Sequence, residues 1–157
     1  MGEEATIVQL SVSPGGVPKL AVPEAEVTEL GLAGDGHNDR FNHGGPERAL
    51  CLFSLERIEG MAAEGHPIAP GSTGENVTIR GLDWDTVVPG TRLRLGDEVV
   101  AEVTRYTTPC ATNKAWFIDG NLNRMHQALH PGWSRVYARV LRTGRIRTGD
   151  RVTIENL

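Results

Sequence analysis

Cys110 stands in the run Thr107-Thr108-Pro109-Cys110-Ala111-Thr112-Asn113-Lys114, just after an alternating strand pattern and a proline, with cations at Arg105 and Lys114. The thiolate, not the thiol, is the nucleophile and the soft metal ligand, and a nearby cation, a following helix N-terminus or a bound metal each favours it. Lys114 falls within one helical turn of Cys110 if a helix starts at once. The plain alternative is an ordinary half-buried thiol at a strand end.

Three other polar, glycine-rich segments lie between apolar stretches: Gly34-Asp35, His43-Gly44-Gly45-Pro46 and Gly74-Glu75-Asn76. His43-Gly44-Gly45 pairs an imidazole with two residues whose backbone amides can approach an anion closely, although the same tripeptide occurs in plain turns. Asn76 offers a donor and an acceptor, and Glu75 can hold a cation or cap a loop; a turn before a strand is the simpler reading of both. Three such loops and one thiol suggest a single shared site.

His126 and His130 stand at i and i+4, a spacing that lets two imidazoles share a metal on a helix, but no acidic ligand stands between them. An exposed helix face is the default, with a zinc-supported structural domain as the rival. Cys51, inside Ala49-Leu50-Cys51-Leu52-Phe53, reads as a small buried hydrophobe. No Walker loop and no Gly-x-Gly-x-x-Gly supports a nucleotide cofactor. Trp116, Trp133 and Tyr137 read as packing residues.

The elements that must position these groups are short. Residues 6–12 alternate as a strand and run into Pro14-Gly15-Gly16, with Lys19 projecting from the loop that follows. Residues 31–45, rich in glycine with Asp35, His37, Asn38, Asp39 and His43, have too few apolar positions for an element and read as an irregular loop. Residues 48–53 suit a buried strand, after which Ser54 caps a helix that places Leu55, Ile58 and Ala62 on one face and ends at Gly65. Residues 77–80 form a strand, and residues 91–95 and 98–104 form a hairpin about Gly96-Asp97.

The spacing then predicts a helix over 113–129, interrupted at Gly120 and stopped by Pro131-Gly132, followed by strands at 136–141 and 152–154. Seven or eight strands and two or three helices, with no repeat or linker, point to a mainly β fold with peripheral helices, mostly antiparallel and barrel-like. An α/β layered sheet is the weaker alternative.

The 157 residues suit one domain, residues 1–157, burying roughly two-thirds of the unfolded chain's surface. Nineteen glycines and nine prolines fit many short elements joined by tight turns. A net charge of -4 argues against general affinity for nucleic acid, and the arginines at 142, 145, 147 and 151 read as solvated strand and turn positions. No segment reaches transmembrane length, and the acidic start Met1-Gly2-Glu3-Glu4-Ala5 lacks the pattern of a secretory signal, so a cytoplasmic location is expected. Two cysteines there would remain reduced.

Taken in order, Gly15-Gly16-Val17-Pro18-Lys19, Gly31-Leu32-Ala33-Gly34-Asp35, His43-Gly44-Gly45-Pro46, Gly74-Glu75-Asn76, Pro109-Cys110, Tyr137-Ala138-Arg139-Val140-Leu141 and Gly149-Asp150 resemble the MOSC family. This is the domain found at the C-terminus of molybdenum cofactor sulfurases and as small stand-alone proteins, and the resemblance covers nearly the whole chain. It implies a MOSC-like β-barrel of the pyruvate kinase β-barrel type, with a pocket for pterin-bound molybdenum. Cys110 matches the family cysteine that ligates the metal or carries sulfur as a persulfide. Lys19, Asp35, His43, Gly44, Gly45, Asn76, Thr108 and Lys114 become the candidate cofactor contacts. Thr108 itself stands where many relatives carry arginine.

The resemblance leaves open a molybdenum-dependent oxidoreductase acting on N-hydroxylated compounds, a sulfur-transfer protein and a non-catalytic binding module. Sulfur carriage implies a cysteine desulfurase partner that brings its own pyridoxal phosphate. Reduction implies an electron-transfer partner, because no flavin, haem or iron-sulfur motif is present.

Overall fold

A computed structural model describes residues 4–13, 18–35, 46–109 and 111–155. Cys110, His43, Gly44 and Gly45 lie outside the described residues. The strands are β1 (Thr6–Val12), β2 (Leu20–Val22), β3 (Glu24–Thr28), β4 (Gly31–Leu32), β5 (Leu50–Ser54), β6 (Val77–Arg80), β7 (Arg92–Leu95), β8 (Val99–Tyr106), β9 (Val136–Arg142), β10 (Gly144–Arg147) and β11 (Val152–Glu155). Eight form one sheet in the order β11-β7-β8-β9-β5-β6-β1-β2, and three form a second in the order β10-β3-β4. Every named pair is antiparallel except β5 with β6. The fold is mainly β, as the patterning predicts.

The large sheet rolls up barrel-like because its far strand comes back to β1. Val152 N donates to Ala5 O at 2.9 Å, Ile7 N to Asp150 O at 2.9 Å and Gly149 N to Ile7 O at 2.8 Å. Curling in this way gives the sheet an inner face, which Ile7, Leu10, Leu52, Val77, Leu93, Leu95, Val103 and Val136 help to fill. Strand β5 is buried at all five positions, as expected of a strand covered on both faces.

Helix α1 (Leu55–Ala63) starts where expected, with the Ser54 hydroxyl accepting from Arg57 N at 3.2 Å. Its buried face is Ile58 with Met61, while Ala62 faces solvent, one position off the expected stripe. The helix expected over 113–129 resolves into two 3-10 turns, Ala111–Trp116 and Leu122–Met125. Gly120 has φ +68°, and side chains between the turns take over backbone donors that a helix would use: Asp119 accepts from Asn121 N at 2.9 Å and Asn121 from Asn123 N at 3.2 Å.

Strands β2, β3, β4 and β10 escape the sequence patterning. β3 and β10 are held at their surface by charge: Arg145 lies 3.2 Å from Glu24 and 3.6 Å from Glu26, and Arg147 lies 3.0 Å from Glu24. Arg151 pairs with Glu4 at 2.9 Å. Arg145, Arg147 and Arg151 are thus surface strand and turn residues with carboxylate partners, and Arg142 is exposed at the end of β9. No helix among the described residues is long and apolar enough to cross a membrane.

Candidate functional site

Asp35 leaves the turn after β4 and points inward, its side chain only 2% exposed. One carboxylate oxygen, Oδ1, accepts from Ser13 N at 3.0 Å. The other, Oδ2, accepts from Lys19 Nζ at 2.6 Å and from Asn76 Nδ2 at 2.8 Å. Lys19 does not project from its loop as the sequence suggests, since its side chain is 8% exposed and spent on this ion pair.

Asn76 joins strands as well as side chains. Its Oδ1 accepts from Cys51 N at 3.0 Å and its Nδ2 also donates to Ser11 O at 3.3 Å. Its backbone N donates to Cys51 O at 2.7 Å, and its backbone O accepts from Ser11 N at 2.9 Å. Asn76 therefore fixes β1, β5 and Asp35 in one register. Of the sequence candidates, the structure brings Lys19, Asp35 and Asn76 together. Thr108 and Lys114 are exposed, and the Lys114 stem lies alongside Gly120.

Glu75 is fully buried rather than a loop cap. Its carboxyl accepts from Gly71 N at 3.0 Å and sits 3.1 Å from the Thr73 hydroxyl and 3.2 Å from that of Thr78. Burial pushes its pKa up, against the opposing pull of the Gly71 amide and Arg135. Gly71 makes the approach possible: at φ +85°, a Cβ there would stand 2.5 Å from Lys19 O.

Cys51 is buried as expected, but its sulfur faces a polar neighbour, Thr107 Oγ1, at 3.9 Å. Burial raises its thiol pKa, and Arg135 and Lys19 offset only part of that. It is a poor candidate nucleophile.

Arg135 is the residue that the sequence reading misses. It precedes β9 and is 5% exposed. Its Nη1 donates to Thr73 O at 2.6 Å and its Nη2 to Asn113 Oδ1 at 3.4 Å, while Nε has no hydrogen-bond partner. Asn113 Nδ2 donates to the same Thr73 carbonyl at 3.0 Å. The backbone carbonyl of Arg135 accepts from Thr107 N at 2.9 Å. Residues 107 and 113, on either side of Cys110, are both bonded to Arg135. One arginine among many carries no spacing signal, so only the fold reveals it.

His126 and His130 do not share a helix face. His126 ends the second 3-10 turn and its Nδ1 accepts from Ala128 N at 3.2 Å. Among the described residues no group of three His, Cys, Asp or Glu side chains could hold a metal ion.

The MOSC domain matches residues 39–153. The chain belongs to the MOSC domain family. This MOSC chain is 33% identical over 117 residues, 74% of its length, to the uncharacterized protein YflK of Bacillus subtilis, of which it covers 52%. It is 35% identical over 103 residues, 62% of its length, to the protein YiiM of Escherichia coli, of which it covers 45%. A protein of Gibberella moniliformis named "Reductase" is 31% identical over 129 residues, 79% of this chain but 22% of that protein. The MOSC chain therefore spans about half or less of the length of these relatives.

Solved structures carry the same fold. Escherichia coli YiiM superposes with a TM-score of 0.73 at 24% identity over 99% of this chain and 71% of that one. The YuaD protein of Bacillus subtilis superposes at 0.71 with 17% identity, over 97% of this chain and 96% of that one.

Proposed function

We propose that this MOSC protein binds molybdenum cofactor, with Cys110 as the thiolate that ligates the metal or carries sulfur as a persulfide. The observation that carries the reading is the buried cation Arg135, whose backbone and side chain hold residues 107 and 113 on either side of Cys110.

The cofactor is anionic and its metal is thiophilic, so a site for it needs buried cations, neutral donors and a soft ligand. The residues present fit. Arg135 keeps a buried Nε donor unused, and the Lys19–Asp35–Asn76 group provides fixed polar side chains nearby in the loop cluster. On this reading Cys110 holds the metal, Thr108, Lys114, His43 and the amides of Gly44 and Gly45 hold the phosphate and pterin, and Lys19 and Asn76, bonded to Asp35, fix the backbone of their own loops. Asp35 sets the position of Lys19. When bound, the cofactor supplies a two-electron redox centre.

The relative named a reductase, of which this chain covers 22%, supports a reducing role, and the family resemblance suggests N-hydroxylated compounds as its substrates. That reaction takes two electrons and two protons, breaks the N–O bond and releases water. The electrons come from a separate electron-transfer protein, in a cytoplasmic setting that keeps Cys110 reduced.

Sulfur carriage uses the same thiol differently. Cys110 thiolate attacks the outer sulfur of a persulfide on a pyridoxal-phosphate-dependent desulfurase; the S–S bond breaks, the desulfurase thiolate leaves and Cys110 holds the persulfide. Mass spectrometry of the chain after reaction with such a desulfurase separates the two roles. One added sulfur on Cys110, absent from Cys110→Ala, supports carriage; no added sulfur together with retained molybdenum supports ligation and reduction.

A further inference from the structure

Arg135 is a buried charge with no ion pair among the described residues. No carboxylate of the described residues forms an ion pair with it, and its two hydrogen-bond acceptors, Thr73 O and Asn113 Oδ1, are neutral. The other buried cation, Lys19, is already matched by Asp35 at 2.6 Å. Glu75 feels Arg135 electrostatically but makes its hydrogen bonds with Gly71 N and two threonine hydroxyls. Burying a guanidinium unpaired costs several kcal/mol, and leaving its Nε–H unsatisfied adds to that.

Such an arrangement is costly for stability alone, and Thr73 O would keep a partner, Asn113 Nδ2 at 3.0 Å, if the guanidinium were removed. A planar fork with a spare N–H suits an oxyanion, which could accept from Nε and share a terminal nitrogen.

We propose that Arg135 is an oxyanion receptor, placed behind residues 71–75 and the Ala111–Trp116 turn, that binds a phosphate or carboxylate group of the protein's ligand. The proposal deepens the reading of this loop cluster as an anion site, but it does not depend on what Cys110 does.

The test is thermal unfolding of the full-length chain, purified from a host that makes no molybdenum cofactor, in titrations of inorganic phosphate and of acetate against a chloride background of equal ionic strength. Wild type and Cys110→Ala should gain Tm with one or both oxyanions. Arg135→Met should lose that gain, or need about tenfold or more anion to reach it. Arg135→Met should also unfold at the same temperature as wild type or higher when no oxyanion is present, because a methionine there removes an unpaired buried charge. Arg135→Lys, which keeps the charge but not the fork, should fall between them.

Wild type without any oxyanion response, or Arg135→Met with an unchanged response, overturns the proposal, as does a large loss of Tm in anion-free Arg135→Met. Repeating the titration on chain from a cofactor-making host identifies the source. A response abolished by loading marks the receptor as holding the cofactor's own phosphate; a response that survives marks it as holding a separate ligand's oxyanion. If molybdenum is never retained yet the Arg135-dependent response stands, the cofactor reading fails and this one holds.

Discussion

Lys19 and Asp35 form a buried ion pair, Nζ to Oδ2 at 2.6 Å, and Asn76 completes it with a second donor to the same oxygen at 2.8 Å. The pair ties the loop before β2 to the turn after β4. Asn76 adds β6 through its own position at that strand's entry, so three segments far apart in sequence meet at one carboxylate.

Removing one member of a buried pair leaves the other charge uncompensated, at a cost of about 3–5 kcal/mol. Lys19→Met and Asp35→Asn should each destabilise the chain by that order in urea unfolding. The double variant should recover part of the loss, giving a coupling energy in the cycle. Strictly additive losses below about 1 kcal/mol, the range of solvent-exposed pairs, would contradict the pair's role.

Glu75 links the site to pH. Its folded pKa lies above the ordinary 4.5 because burial disfavours the carboxylate. The folded state therefore binds this proton more tightly than the unfolded state, and the resulting stability is fully present below about pH 4.5 and lost as pH rises through the folded value. Stability of wild type relative to Glu75→Gln should fall as pH rises above that lower limit. A difference that is flat or rises with pH would refute this.

Gly71 and Gly90 give a paired test of backbone geometry. Both have positive φ, +85° and +95°, but a Cβ at Gly71 meets Lys19 O at 2.5 Å while one at Gly90 meets nothing within 4 Å. Gly90→Ala should cost about 1–2 kcal/mol from conformation alone. Gly71→Ala should cost clearly more, measured by the same denaturant titration; equal costs would remove the close-approach argument.

Cys51 should resist iodoacetamide in the folded chain at pH 8 and react once the chain is unfolded, because burial holds its thiol neutral. Peptide mapping reads the two cysteines separately. Alkylation of Cys51 at native conditions, in step with Cys110, would contradict its placement.

Much of the β framework was legible because period-2 alternation at 6–12, 91–95 and 98–104 is set by burial of one face, which sequence records directly. The strands at 24–28 and 144–147 were not legible. Each buries only one or two small or medium apolar side chains, Ala25 and Val27 in one and Ile146 in the other, and their pairing spans more than a hundred residues, so the apolar pattern in each is too short to mark a strand by itself. Helical spacing at 113–129 misled because Leu122, Met125 and Leu129 recur as a helix would, while Asp119, Asn121 and Gly120 redirect the backbone.

At the site, Lys19, Asp35 and Asn76 were found through family motifs, and the structure brings them into contact. Glu75 read as a turn residue because a buried carboxyl looks no different in sequence from an exposed one. Arg135 is hidden among the arginines, since what distinguishes it is burial without an ion pair among the described residues, and that is a property of the fold.

Cys110 is proposed to hold molybdenum cofactor. This role is tested most directly by measuring molybdenum per chain in wild type and Cys110→Ala, both purified from a host able to make the cofactor. Wild type should carry molybdenum and the variant should lose it; equal molybdenum in both, with the two proteins equally folded, would contradict a role for the Cys110 thiolate in holding the cofactor.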